Sequence, residues 1–309
     1  MTFVSQSPQA IFMVRPSHFG YNDQTALSNA FQKKLDTSDQ DISFRARLEF
    51  DAFSRLLISN GMELFVFDED DINTPDAVFP NNWISFHHGG EIVLFPMLAE
   101  NRRLERRKDI ITTIEKNFRV NKILDLSFYE KEQKFLEGTG SVVIDYKNKI
   151  AYANRSPRTN EDLFNVFCRE LGLESVMFLA TDKKNNDIYH TNVLMTIADE
   201  FCAVCLKCID KKDREKVVSS FKSTGHELID ISYEQMNHFV GNMIQLSSKS
   251  GERFLVMSKS AYEALLPEQL VIIENSCKIL FSDISTIENY GGGSTRCMIA
   301  GIFLPAKNA

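Results

Sequence analysis

The sequence is poor in several features, and each shortage removes a class of protein. No apolar run approaches the length of a membrane span. The opening residues, Met1-Thr2-Phe3-Val4-Ser5-Gln6, lack a basic stretch followed by a long apolar one, so no secretion signal is expected. The six cysteines (Cys168, Cys202, Cys205, Cys208, Cys277 and Cys297) are too sparse for a disulfide framework in 309 residues, which points to a reduced, cytoplasmic setting. Positive charge is also short. The net charge of −7 argues against nucleic acid as the main partner and otherwise indicates little beyond solubility. With eight prolines and fourteen glycines, no linker rich in proline, glycine or serine interrupts the chain. The length alone allows one domain or two; the missing linker favours a single domain over residues 1–309.

What is present is a recurring order of elements. From Asn82 onward, β-branched and aromatic runs alternate with stretches of helical period in units of strand, strand, helix, strand. Trp83–His87 and Glu91–Met97 form a hairpin, followed by a helix over Leu104–Phe118 and a strand over Lys122–Leu126. The second unit has Val142–Ile144, Ile150–Ala153, a helix over about Asn160–Leu171, and Ser175–Ala180. The third has Val193–Ile197, Phe201–Leu206, a helix around Asp213–Phe221, and Glu227–Ile231. The fourth has Met243–Leu246, Arg253–Met257, a helix around Ala261–Leu265, and Lys278–Phe281. A fifth opens with the buried strand expected in the apolar run after Cys297. It can close only by borrowing Ala10–Val14, helices within Asp23–Asn60, and Glu63–Phe67. A period near fifty residues belongs to repeat arrays and closed rings.

The polar stretches fall at one phase of this repeat. Phe79-Pro80-Asn81-Asn82-Trp83, Glu137-Gly138-Thr139-Gly140, His190-Thr191-Asn192, Gly241-Asn242-Met243 and Cys297 follow one another at intervals of 52 to 55 residues. If the units pack around an axis, amide, carboxylate, imidazole and thiol converge on one pocket. Cys297 follows Gly291-Gly292-Gly293, whose backbone can approach a ligand closely. Alone, this is a core cysteine beside a turn. With His190 to hold or move its proton and Glu137 as acid or base, it becomes a candidate nucleophile.

These residues carry a resemblance. GGGSTRCM at 291–298, LEGTG at 136–140, His-x-Asn at 190–192, Ser-Pro-Arg-Thr-Asn at 156–160 and Phe12-Met13-Val14-Arg15-Pro16 resemble the guanidine-modifying, or pentein, superfamily. Arginine deiminases, dimethylarginine dimethylaminohydrolases, amidinotransferases and succinylarginine dihydrolases belong to it, and the nearest branch is the citrulline-utilising hydrolases. The resemblance implies an α/β fold, a five-bladed α/β propeller of pseudo-fivefold ββαβ repeats. It implies covalent catalysis by Cys297 with His190 and Glu137. It also implies Arg158, and less directly Arg103, as grips for a substrate carboxylate. Asp76 is a candidate partner for an α-amino group. No cofactor or metal is implied. The expected partner is a small amino-acid substrate, with no nucleic acid or membrane, and a homodimer is left open.

The departures sharpen the expectation. Pentein hydrolases of cationic guanidines have acidic residues where this chain has Asn81-Asn82, and an aspartate where it has Asn192. A guanidinium is a fork of donors, whereas a ureido group mixes a carbonyl acceptor with N–H donors, a pattern that an amide side chain matches. Carboxylates buried against a neutral ligand would be left uncompensated. The expected reaction is therefore citrulline to ornithine: Cys297 attacks the ureido carbon, ammonia leaves, and water releases a carbamate that loses CO2. Amides of Gly291–Gly293 are expected to face the carbonyl oxygen. An amidinotransferase, an arginine deiminase-like enzyme and a non-catalytic binding platform are the alternatives. Thr139 and Ser141 have no assigned role.

Other signals read as structural. Cys202, Cys205 and Cys208 have cluster-like spacing, but alternate with apolar residues and lack a matching fourth, so buried strand cysteines are expected. Asp68-Glu69-Asp70-Asp71 reads as a solvated turn. His87-His88 reads as a hairpin turn needing no ligand, and Trp83 as a packing residue.

Overall fold

The computed structural model describes residues 4–34 and 39–307. Met1–Phe3, which carry the start of the expected leader-free N-terminus, lie outside the described residues, as do 35–38, within the Asp23–Asn60 helical expectation, and the last two residues of the 1–309 span.

The chain forms fifteen strands among the described residues, grouped in five sheets of three. In chain order, β1 (Ala10–Arg15) and β2 (Glu63–Asp68) precede the first hairpin, β3 (Ile84–Phe86) and β4 (Glu91–Leu94). Then come β5 (Lys122–Asp125), β6 (Val142–Asp145), β7 (Ile150–Asn154) and β8 (Glu174–Phe178). They are followed by β9 (Met195–Ile197), β10 (Phe201–Val204), β11 (Glu227–Asp230) and β12 (Ile244–Ser247). β13 (Arg253–Ser258), β14 (Lys278–Ser282) and β15 (Ala300–Ile302) complete the set.

Each sheet has the same wiring. An antiparallel pair, such as β6 with β7, is followed by a helix that returns the chain to a parallel third strand, here β8. The fifth sheet draws on both ends of the chain: β1 pairs antiparallel with β15, Ala10 opposite Ile302, and parallel with β2. That is the borrowing the sequence requires.

Burial decreases from the first strand of each sheet to the third. β3, β6, β9 and β12 are buried throughout, while β5 and β11 expose both ends. Short, fully buried strands therefore line the middle of the molecule, and the parallel third strands face outward.

The connecting helices follow local rules. In Glu161–Leu171 the Asn160 side chain accepts from the Leu163 amide, two acids occupy the first turn, and Gly172 closes the end in the left-handed region at φ 64°. Its inner stripe of Leu163, Phe164 and Phe167 is fully buried. Burial of three such side chains contributes about 5–9 kcal/mol before entropic costs.

Three sequence readings need correction. Leu104–Phe118 is a short 3-10 turn, Asn101–Glu105, followed by a helix over Lys108–Asn117. The fourth unit carries two helices, Lys259–Ala264 and Pro267–Glu274; Pro267, fixed at the first position, starts the second. The strand expected over Phe201–Leu206 ends at Val204. Cys205 thus caps the start of a 3-10 turn, Leu206–Cys208, that Cys208 ends; both are buried with their sulfurs 2.7 Å apart, and of the three only Cys202 is a strand cysteine.

The remaining structural readings meet ordinary partners. The run expected as a solvated turn is only partly so. Asp68 ends β2 and faces Arg15, Asp70 faces Arg107, and Asp71 holds a turn through Asn73. Glu69 is buried, because its carboxylate accepts from the Ser17 and His18 amides. Buried His87 contacts Ser85 Oγ at 2.7 Å, and burial pushes its imidazole down to about 3. Trp83 packs against Phe12. Among the described residues, no helix is long and apolar enough to cross a membrane.

Candidate active site

One helical turn precedes the inner strand in four of the five sheets, and these turns carry the candidate residues. They are Pro80–Asn82, Gly138–Ser141 with Glu137 at its start, Thr191–Leu194 with His190 at its start, and Thr295–Met298. Cys297 is therefore not at the tip of a strand. It lies within a helical turn, and the strand begins at Ala300. Asn242 precedes β12 after a turn of its own, its amide donating to the Phe239 carbonyl.

Asn82, His190, Cys297, Arg158 and Asp76 line one cleft. Glu137 is fully buried beneath it. Its Oε2 accepts from His190 Nε2 at 2.8 Å and Arg158 Nη1 at 3.4 Å, and its Oε1 from the Leu98 amide at 3.0 Å. Burial alone would raise this carboxyl; Arg158, the His190 hydrogen bond and Arg102 outweigh it and hold it at about 2. An ionised carboxylate only accepts, so His190 carries its proton on Nε2, leaving Nδ1 as a free lone pair. Burial pushes this imidazole down to about 4 against the pull of Glu137. At neutral pH the pair is carboxylate and neutral imidazole, a base ready to take a proton.

Cys297 is buried, and its sulfur accepts from Asn242 Nδ2 at 3.2 Å and Asn192 Nδ2 at 3.4 Å. Asn242 Oδ1 in turn accepts from the Cys297 amide at 3.4 Å, which fixes which way the Asn242 amide points. In the sequence Asn242 is the fourth member of the repeat phase, with nothing local to mark it as a partner of sulfur. Lacking charge, it does not stand out by residue type.

Two glycines let these turns meet. Gly138 adopts φ +48°, and a Cβ there would lie 2.2 Å from the Asn81 carbonyl oxygen. At Gly140 a Cβ would lie 2.3 Å from Asn82 Nδ2 and 2.8 Å from His190 Nδ1, so these two atoms sit side by side over a bare backbone. Ser141 Oγ accepts from the Glu137 amide and donates to the Arg158 carbonyl, while Thr139 Oγ1 donates to the Asn81 carbonyl. Both hydroxyls tie the turn together.

The two adjacent arginines separate. In a 3-10 turn, neighbouring side chains point about 120° apart. Arg102 faces the cleft, buried, bidentate to Glu105 at 2.8 Å and donating to Asn82 Oδ1 at 2.7 Å. Arg103 lies outside the cleft lining, donating to the carbonyls of Met97 and Leu98 and facing Glu130. The sequence singled out Arg103; the turn phase that selects Arg102 is not readable without the fold.

The fork of Arg158 is already engaged, with Nε and Nη2 on Ser28 Oγ and Nη2 on the Thr25 carbonyl. These partners belong to an N-terminal strap that crosses the cleft. Asn22 and Thr25 donate to Asp76 Oδ2, and Asn29 to the carbonyls of Gly291 and Gly292. The strap was not legible in the sequence. Beneath it the cleft encloses about 10 Å³, room for roughly one water. Of the three loop amides, that of Gly292 is spent on the Glu288 carbonyl, because Gly291 ends a helix and Gly292 is its left-handed cap.

Five buried polar atoms at the hub have no partner among the described residues: Asn81 Nδ2 and Oδ1, Asn82 Nδ2, Asn192 Oδ1 and Asp76 Oδ1. Buried polar groups are normally paired. Asn82 and Asp76 line the cleft; Asn81 and Asn192 lie behind the lining, Asn192 on the Cys297 sulfur. Because Arg102 can only donate, Asn82 Oδ1 is fixed and Nδ2 must face away from it.

Known proteins share this fold. The chain superimposes on the N-terminal domain of ArgZ with substrate bound, an arginine dihydrolase from the ornithine-ammonia cycle in cyanobacteria. The TM-score is 0.73 and the identity 14%, covering 96% of this chain and 98% of that one. Against longer ArgZ the TM-score is 0.74 at 16% identity, but the chain spans only 40% of that protein. A dimethylarginine dimethylaminohydrolase adduct gives a TM-score of 0.66 at 16% identity, covering 96% and 99%. At these identities the likeness concerns the fold. No protein of curated function matches the chain. The family described as N,N dimethylarginine dimethylhydrolase, eukaryotic, matches residues 15–304. The chain thus belongs to the dimethylarginine dimethylhydrolase family within the pentein superfamily, and is a hydrolase of non-peptide C–N bonds.

Proposed function

We propose that the protein hydrolyses the ureido group of citrulline, giving ornithine, ammonia and CO2. The observation that supports this reading is the orientation of Asn82. Pinned by Arg102, it turns an unpartnered N–H donor toward the cleft beside His190 Nδ1. A donor there suits a carbonyl oxygen and opposes a guanidinium, which has donors only. Asp76 Oδ1 and Asn192 Oδ1 remain as acceptors for N–H groups.

In this proposal the Cys297 sulfur attacks the ureido carbon. The terminal nitrogen leaves as ammonia with a proton relayed by His190, and a thiocarbamate remains on sulfur. His190, restored as a neutral base by Glu137, takes a proton from water, which releases the thiol and a carbamate; the carbamate then loses CO2. Substrate entry requires the strap around Thr25 and Ser28 to lift, freeing the Arg158 fork for the substrate carboxylate. Five sheets closed as a propeller in a single domain would hold these turns at one hub. A guanidino substrate is the second reading, favoured by the family match and by the arginine dihydrolase fold relative.

Ammonia and ornithine release from citrulline, arginine, N,N-dimethylarginine, agmatine and carbamoyl-amino acids, without added amine, tests the proposal in wild type and Cys297→Ala. Citrulline turnover that is lost in Cys297→Ala is expected. Turnover of arginine or dimethylarginine with citrulline inert would overturn the ureido reading in favour of the second.

A further inference from the structure

A second cavity, of about 50 Å³, lies among the inner strands and shares no lining residue with the cleft. All five sheets contribute to it, through Ser85 of β3, Ile144 of β6, Thr196 of β9, Gln245 of β12 and Gly301 of β15. Its lining holds one charged side chain, Arg296, and no carboxylate among the described residues.

Arg296 is placed unlike the arginines at the cleft. Arg102 has Glu105 at 2.8 Å and Arg158 has Glu137 at 3.4 Å. Among the described residues Arg296 has no ion pair, and its one side-chain hydrogen bond runs from Nη1 to the Ile299 carbonyl at 3.0 Å. The guanidinium cannot shed its proton, so its charge stands uncompensated in a confined space. Tyr146 also lines the cavity, its hydroxyl held only by a long 3.4 Å contact to His87 Nδ1. The remaining guanidinium donors have no acceptor among the described residues, and the Tyr146 hydroxyl shares the same cavity. Burial also pulls the guanidinium below its usual value, against the opposing pull of Cys297 and Tyr146.

We propose that this cavity is a binding site for a small inorganic anion, of halide to bicarbonate size, held by Arg296 with Tyr146 and distinct from the substrate cleft. The volume sets the size: at about 10–15 Å³ per water, it holds the equivalent of roughly three to five waters, enough for one such ion with its residual water.

Crystals grown or soaked in sodium bromide test the site directly through the anomalous signal of bromide. A peak within roughly 3.5 Å of the Arg296 guanidinium is expected; only water there in bromide-soaked crystals overturns the proposal. In solution, bromide should raise Tm relative to sodium gluconate at equal ionic strength, gluconate being too large for the cavity. Arg296→Gln should abolish that difference; an equal difference in wild type and Arg296→Gln also overturns it. Should Arg296→Gln fail to fold, the crystal result decides alone.

Discussion

Replacing Asn82 with aspartate exchanges one N–H donor for an oxygen and leaves the rest of the side chain in place. The bond from Arg102 Nη1 to Oδ1, 2.7 Å, survives, because an aspartate oxygen accepts it equally well. What changes is the atom facing the cleft. For citrulline the ureido oxygen loses its donor and meets a lone pair, a cost of about 2–3 kcal/mol. That corresponds to a roughly 30- to 150-fold fall in kcat/KM. For arginine the same change places a carboxylate against a fork of donors, a gain of about 1.5–3 kcal/mol, or roughly 10- to 150-fold. The assay is ammonia release from both substrates at matched concentrations, with Tm as the control for folding. Citrulline turnover within threefold of wild type, with no rise for arginine, would refute the reasoning from Asn82.

Three further outcomes follow from the same geometry. His190, pushed down to about 4 from an ordinary 6.5, binds its proton more readily in the unfolded chain, so stability is lost as pH falls from about 6.5 toward 4. Glu137, held at about 2 against 4.5, loses its contribution lower, as pH falls from about 4.5 toward 2. Each is worth about 3 kcal/mol, and the two are coupled rather than additive. Urea melts at pH 7 and 4.5 should show the upper loss in wild type and not in His190→Asn; equal losses contradict the assignment. Gly140→Ala should lower kcat/KM more than 100-fold while costing about 1–3 kcal/mol of stability, since its Cβ collides with Asn82 and His190; an unchanged rate argues against the side-by-side placement. Asn242→Ala should lower kcat roughly 10- to 100-fold and slow alkylation of Cys297 by iodoacetamide, with KM little moved, because a positioning donor to sulfur is lost; a change in KM alone assigns it to substrate instead.

The sequence carried the element order well because each unit repeats the same strong local signals. Burial on both faces makes inner strands such as β6 and β12 read as apolar runs, and the return helices carry clear caps such as Asn160 and Gly172. The repeat phase brought Asn82, Glu137, His190 and Cys297 to one place, because each sits on the turn just before its sheet's inner strand. What stayed hidden depends on turn phase or on long-range contact. Whether Arg102 or Arg103 faces inward is settled by a 3-10 turn of five residues, too short to show a period. The strap over the cleft is held by contacts between residues as distant as Asn29 and Gly291, which leave no local trace.

The sheet whose inner strand follows Cys297 is also the one that joins early and late segments, with β1 lying between β15 and β2. During synthesis β1 leaves the ribosome early and keeps a bare backbone edge until residues 300–302 emerge almost three hundred residues later. A nascent polypeptide can thus assemble four sheets from sequential segments before Cys297 is added. The candidate nucleophile and the strand that seals this edge thus arrive together, Cys297 only a few residues ahead of Ala300–Ile302.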